Sequence, residues 1–235
     1  MRIILFVILC ALSMTLSAAA PGIELDKAPI DTTDNASLQR GAKTFVNYCL
    51  SCHGASYMRY NRHQRDIDFS KAEVKDELVL TGQKVGDLML AAMRGKEAEQ
   101  WFGVLPPDLS VIARSRGPDW LYTYLRSFYR DAETASGWNN LVFDRVAMPH
   151  VLYEQQGEQK LVDKAGAKSL ALVAPGTMSA AEFDKYVGDL VNYLVYLGEP
   201  AANDRKQLGI IVMIFLFALL GLSIALKREY WKDIH

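Results

Sequence analysis

The chain has 235 residues, enough for one sizeable domain with its own core. Hydrophobic residues make up 50% and the formal charge is −1. With no Lys/Arg-rich arm to follow a phosphate backbone, a nucleic-acid partner is excluded.

In chain order, Met1-Arg2 is followed by the apolar run Ile3 to Leu12 and then by Ser17-Ala18-Ala19-Ala20. A basic start, a short apolar stretch and an A-x-A pattern predict an export signal over 1–20, cleaved after Ala20. The run is short for a bilayer span. It also lacks the Arg-rich amphipathic character of an organelle presequence, so a bacterial signal fits better. Residues 21–34 form a polar opening segment with Pro21, Pro29 and several Asp. Asn35 or Ser37 is placed to cap a helix running to about Tyr48, because Leu38, Ala42, Phe45, Val46 and Cys49 recur at helical spacing. Gly41 lies on that helix, where a missing side chain permits close approach by another helix.

This helix leads into Cys49-Leu50-Ser51-Cys52-His53. Cys10 leaves with the signal, so Cys49 and Cys52 are the surviving pair. C-x-x-C-H is the pattern of covalent haem attachment. Two thiols add across the two vinyl groups of the porphyrin, and the adjacent imidazole reaches the iron. Zinc needs about four ligands, and no second cysteine pair exists to supply them. A redox-active C-x-x-C sits after a strand, whereas here a helix precedes it. A disulfide between residues three apart would be strained. The expected cofactor is therefore one haem c, held by Cys49, Cys52 and His53.

Further along, Val85 to Met93 reads as helical. Pro106-Pro107-Asp108-Leu109 reads as a loop, because two prolines cannot continue a helix. Asp119 to Arg130 places Leu121, Tyr124, Leu125 and Phe128 on one helical face. Tyr153–Ala174 suits short strands or irregular structure equally. Ser179 and Glu182 form a capping box. Phe183, Val187, Leu190, Val191, Leu194 and Leu197 then make an apolar stripe ending at Gly198, with Pro200 beyond. Leu208 to Leu226 carries no charge, and residues 207–226 predict a transmembrane helix. About 20 residues at roughly 1.5 Å each cover about 30 Å of hydrocarbon. With the signal outward, residues 21–206 lie outside the cytoplasm and 227–235 inside. Removing Arg2 and the tail's net +1 from the formal −1 leaves −3 on the exported domain, a mild complement to a basic soluble partner.

A haem with one His ligand either takes a second ligand and transfers electrons or keeps an open site for small molecules. The candidates are Met58, Met89, Met93, Met148, Met178, His63 and His150. Met58 is too near the attachment motif to reach the other haem face. Met89 and Met93 read as core, and Met178 as a helix-start residue. Met148, in Val146-Ala147-Met148-Pro149-His150, sits on a proline-anchored loop, with His150 as the alternative.

The ordered set Cys49-x-x-Cys52-His53, Tyr57-Met58-Arg59-Tyr60-Asn61-Arg62, Pro106-Pro107-Asp108-Leu109-Ser110 and Ala147-Met148-Pro149-His150, followed by a single C-terminal anchor, resembles the cytochrome c1 family along nearly the whole mature chain. The resemblance implies an all-α, cytochrome c-like haem domain with long loop insertions plus one C-terminal transmembrane helix. It implies His53 and Met148 as axial ligands, with Pro107 in a loop whose carbonyl accepts the His53 ring N–H. It also implies Arg116 near a haem propionate, although Trp120 stands where the family would have tyrosine. In function it implies the electron-transfer subunit of the respiratory cytochrome bc1 complex, ubiquinol–cytochrome c oxidoreductase. Single electrons would pass from a Rieske iron–sulfur protein to a c-type cytochrome. The anchor would meet cytochrome b and membrane lipid in a dimeric complex of the bacterial inner membrane, haem domain periplasmic. The 95 residues from His53 to Met148 favour this over a smaller anchored mono-haem cytochrome, such as a terminal-oxidase subunit or tethered shuttle. An open-site haem sensor is the remaining rival, and it would bind carbon monoxide readily.

Overall fold

The computed structural model describes residues 23–80, 82–164 and 167–233. The export signal expected over 1–20 lies outside the described residues.

The first helix, α1 (Asn35–Thr44), is capped by Asp34, whose carboxylate accepts the Ser37 N–H at 3.0 Å. The cap is thus neither Asn35 nor Ser37: the acidic side chain one residue before the helix takes the N–H of its third residue. The helix then widens into a π-turn over Phe45–Cys49, where the Leu50 N–H reaches back five residues to the Phe45 carbonyl at 3.0 Å. This turn adds one residue to the helical ladder immediately before the cysteine motif.

Next come β1 (Ala55–Arg59), α2 (Arg62–Asp66), α3 (Lys71–Glu73) with a second π-turn over Val74–Leu78, and β2 (Leu88–Met89). The helix expected from Val85 to Met93 is absent. Asp87 instead closes a turn on the Lys84 N–H at 2.8 Å, and Met89 pairs antiparallel with Ala55. Met89 is fully buried while Leu90 is 48% exposed, the alternation of a strand rather than a helical face.

The chain continues through α4 (Gly95–Phe102), a helix not expected from sequence, and α5 (Ile112–Arg116). In α6 (Pro118–Arg126), proline occupies the first turn, where its missing N–H costs nothing. This helix ends four residues before the expected Arg130. Phe128 begins β3 (Phe128–Arg130), which pairs antiparallel with β4 (Trp138–Asn140). After α7 (Tyr153–Gln156), the undecided stretch proves to be a hairpin of β5 (Gly157–Lys164) and β6 (Ala167–Pro175).

Two long helices complete the chain. α8 (Ala180–Gly198) starts at the expected capping box, with the Ser179 and Glu182 side chains each meeting the other's backbone N–H. It crosses α1, and α5 and α6 also pack against it. Gly41 lies at the crossing: a Cβ there would stand 2.2 Å from the Asp189 carbonyl oxygen. Asn192 on α8 holds the opening segment with both amide atoms, accepting from Asp31 N at 3.1 Å and donating to Asp31 O at 2.7 Å. α9 (Ala202–Tyr230) projects from the domain with no buried residue. The fold is therefore helix-rich, as expected, with short two-stranded sheets in the insertions and one long apolar C-terminal helix.

Candidate haem-attachment site

Cys49 ends the π-turn, and a tight turn follows in which the N–H groups of Cys52 and His53 both reach the Cys49 carbonyl, at 3.0 and 2.8 Å. The two thiols are free, Cys49 buried and Cys52 partly open. Burial, with a smaller effect from neighbouring Cys52, pushes the Cys49 thiol up to about 12. A thiol–disulfide catalyst needs the opposite, a thiol lowered toward neutrality. The electrostatics therefore count against the redox C-x-x-C alternative.

His53 is fixed by the double-proline loop. The Pro107 carbonyl lies 2.8 Å from Nδ1 of the imidazole. A carbonyl can only accept, so Nδ1 carries the proton and the Nε2 lone pair is left for a metal. Burial lowers the His53 pKa, against the opposing Pro107 carbonyl and Asp108 charge. Burial thus favours the neutral ring, the form that ligates.

The loop is itself zipped to the motif. The Leu109 N–H meets the Gly54 carbonyl at 2.7 Å, and Asp108 accepts the N–H groups of Ser56 at 2.9 Å and Ser110 at 2.8 Å. Burial works to raise the Asp108 pKa, but hydrogen bonds from Ser110 and Ser56 outweigh it and hold the carboxyl below its ordinary range.

Met148 lies on the irregular segment after β4, half-buried against the core. Its Sδ is 3.4 Å from the Tyr124 hydroxyl. Two buried asparagines secure this segment. Asn140 donates to the Tyr124 carbonyl at 2.8 Å and accepts from Val142 N at 2.9 Å and Phe143 N at 3.1 Å. Asn139 accepts from Arg145 N at 2.9 Å and donates to Asp131 and Asp144, each at 2.9 Å. In the sequence the available signal was the pair of adjacent amides, Asn139-Asn140, upstream of Met148-Pro149.

Of the other candidates, Met178 packs against the core and His63 is buried within it. Met58 and Met89 are buried in β1 and β2. His150 is clamped, stacked on Phe128 at 4.9 Å and edge-on to Trp138 at 5.1 Å. Its Nε2 has no hydrogen-bond partner, and burial pushes its pKa down to about 4. Arg116 is exposed, with its guanidinium 5.2 Å from the Trp120 ring centroid. Together with Ile23, Leu25 and Trp120 it borders a cleft of about 360 Å³.

These residues fit a covalent haem: free thiols at the required spacing, an imidazole held in the ligating tautomer, and a thioether on an anchored loop. Paired thiols with an adjacent imidazole are the attachment chemistry of c-type cytochromes, and the chain also has a C-terminal helix long and apolar enough to cross a membrane.

The cytochrome C1 family model matches residues 26–234. The chain is 43% identical to cytochrome c1 of Allochromatium vinosum, over 100% of this chain and 99% of that one. It is 60% identical to a protein of Nitrosomonas europaea named ammonia monooxygenase gamma subunit, over 100% of both chains. Cytochrome c1 of Rhodospirillum rubrum is 28% identical, over 86% of this chain and 83% of that one. The chain belongs to the cytochrome c1 family, whose members carry one covalent c-type haem and act in electron transfer.

Proposed function

We propose that this chain is the haem subunit of a ubiquinol–cytochrome c oxidoreductase, or bc1, complex. The observation that carries the reading is the full-length 43% identity to a cytochrome c1. The ligating tautomer of His53 supports it.

When bound, haem c supplies a one-electron ferric–ferrous couple. Cys49 and Cys52 would hold the porphyrin covalently. His53 would ligate the iron through Nε2, with Pro107 holding the ring and raising its basicity. Met148 would supply a thioether, which favours the ferrous state and so a high potential. Arg116 would pair with a propionate. No side chain in this set transfers a proton.

The electron donor is a Rieske centre, because His ligation raises its potential toward that of a His/Met haem. The acceptor is a c-type cytochrome, and the formal −3 of residues 21–206 suits a basic one. Helix α9 lies in lipid beside cytochrome b within a dimeric complex. Residues 1–20 act as the export signal, the haem domain faces the periplasm and 227–235 face the cytoplasm.

The relative from Nitrosomonas europaea gives a second reading, a subunit of an ammonia monooxygenase. Affinity purification of the tagged chain in mild detergent separates the two. Cytochrome b and a Rieske protein are expected in stoichiometric amounts; recovery of monooxygenase subunits in their place would overturn the proposal. For the ligands, Met148→Leu is expected to lower the midpoint potential and abolish the near-infrared sulfur-to-iron band. An unchanged spectrum would move the sixth ligand to another residue.

A further inference from the structure

Tyr124 was legible in the sequence only as one apolar-face residue of a helix. In the structure its ring stacks on Trp120, centroids 4.8 Å apart and planes 10° from parallel, and meets Phe128 edge-on at 5.1 Å. Its hydroxyl lies 3.4 Å from Met148 Sδ. A thioether has no proton, so Tyr124 is the donor. Both ends of this contact are anchored. Asn140 holds the Tyr124 carbonyl and also the Val142 and Phe143 N–H groups that begin the Met148 segment.

A thioether sulfur has two lone pairs. A sulfur that gives one to iron retains the other for a hydroxyl. Resting on the assignment of Met148 as axial ligand, we propose that Tyr124 is a positioning residue that acts through this sulfur to tune the haem potential. The O–H draws electron density from sulfur, weakening its donation to the metal. The positive end of the same dipole points at the sulfur that would hold the iron. Both effects disfavour the more positive ferric state, so both raise the reduction potential. The aromatic rings around Tyr124 screen the dipole poorly, which preserves its strength.

The test is Tyr124→Phe in the intact membrane complex, which keeps the ring packing and removes only the hydroxyl. The midpoint potential is expected to fall, so that the ferric-to-ferrous ratio at a fixed potential rises about three- to tenfold. Tenfold corresponds to about 59 mV for a one-electron couple. The near-infrared sulfur-to-iron band is expected to persist. In the Met148→Leu background the same substitution is expected to change nothing further.

An unaltered potential in Tyr124→Phe, or an equal shift with and without Met148, would overturn the proposal. So would loss of the band in Tyr124→Phe, because the hydroxyl would then be retaining the ligand rather than tuning it. The underlying ligand assignment is judged separately, by whether Met148→Leu alone abolishes the band.

Discussion

His63 has no exposed surface. Its Nδ1 is 3.0 Å from the Tyr60 carbonyl, which can only accept, so Nδ1 donates and Nε2 accepts from the Tyr193 hydroxyl at 2.7 Å. Burial pushes the pKa down to about 4, against the Tyr60 carbonyl and the Asp66 charge. Once unfolded, the ring titrates near about 6.5. Between those values the unfolded chain binds more protons, so the contribution to stability is complete above about pH 6.5 and is lost as the pH falls through about 4. His63→Gln is expected to cost about 1–3 kcal/mol at neutral pH, because a buried hydrogen-bond pair is broken. It should also show a shallower fall in melting temperature on acidification across that window. Calorimetry at a series of pH values checks both, and parallel acid limbs in the two proteins would contradict the assignment. At this scale the sequence revealed what is local. Cys49, Cys52 and His53 are joined by covalent spacing, so the motif announces itself. Tyr124 lies 24 residues from Met148, and only the folded chain discloses that pair; the pairing of Pro107 with His53, 54 residues apart, was implied by the family resemblance and not by spacing.

Among the elements, the crossing of α1 and α8 depends on Gly41. In an open helix Gly→Ala gains roughly 1 kcal/mol. Here the added carbon would sit 2.2 Å from a backbone oxygen and 2.6 Å from Tyr193 Cβ, neither able to swing aside. The sign therefore reverses, and Gly41→Ala is expected to destabilise by about 1–3 kcal/mol through overpacking. Urea unfolding would show a lower midpoint; an unchanged or higher one would mean that the helices separate freely. This glycine was legible beforehand, as were both helices, because caps and a 3.6-residue period act within one segment. The region from Val85 to Met93 was not. Its apolar residues satisfy a helical period, but the sheet pairing of Met89 with Ala55 decides the outcome. The hairpin of β5 and β6 stayed undecided for a related reason. Gly157 sits at φ +91 where the hairpin opens, a conformation that its sequence neighbours do not disclose.

At the level of the whole molecule, the haem domain and the apolar helix are energetically separable. The core lies entirely in residues before α9, and every residue of α9 is outside it. Among the described residues, the side-chain ties from α9 to the domain lie in its first turn: Asn203 meets the Thr32 carbonyl at 3.2 Å and the Thr32 hydroxyl at 3.5 Å, and Arg205 pairs with Glu199 at 2.6 Å. A chain ended after Lys206 keeps these ties and loses the apolar stretch that water cannot accommodate together with the short charged tail. It is expected to be exported, to carry its haem with unaltered optical spectrum and potential, and to appear in the soluble fraction without cytochrome b. Fractionation followed by redox titration tests this directly. A truncated chain that lost its haem would show that α9 helps to hold the site. One that stayed in the membrane would show a second attachment surface on the domain itself. The domain buries the motif's first cysteine and holds His53 on the Pro107 carbonyl without help from α9, which argues that the haem will be kept.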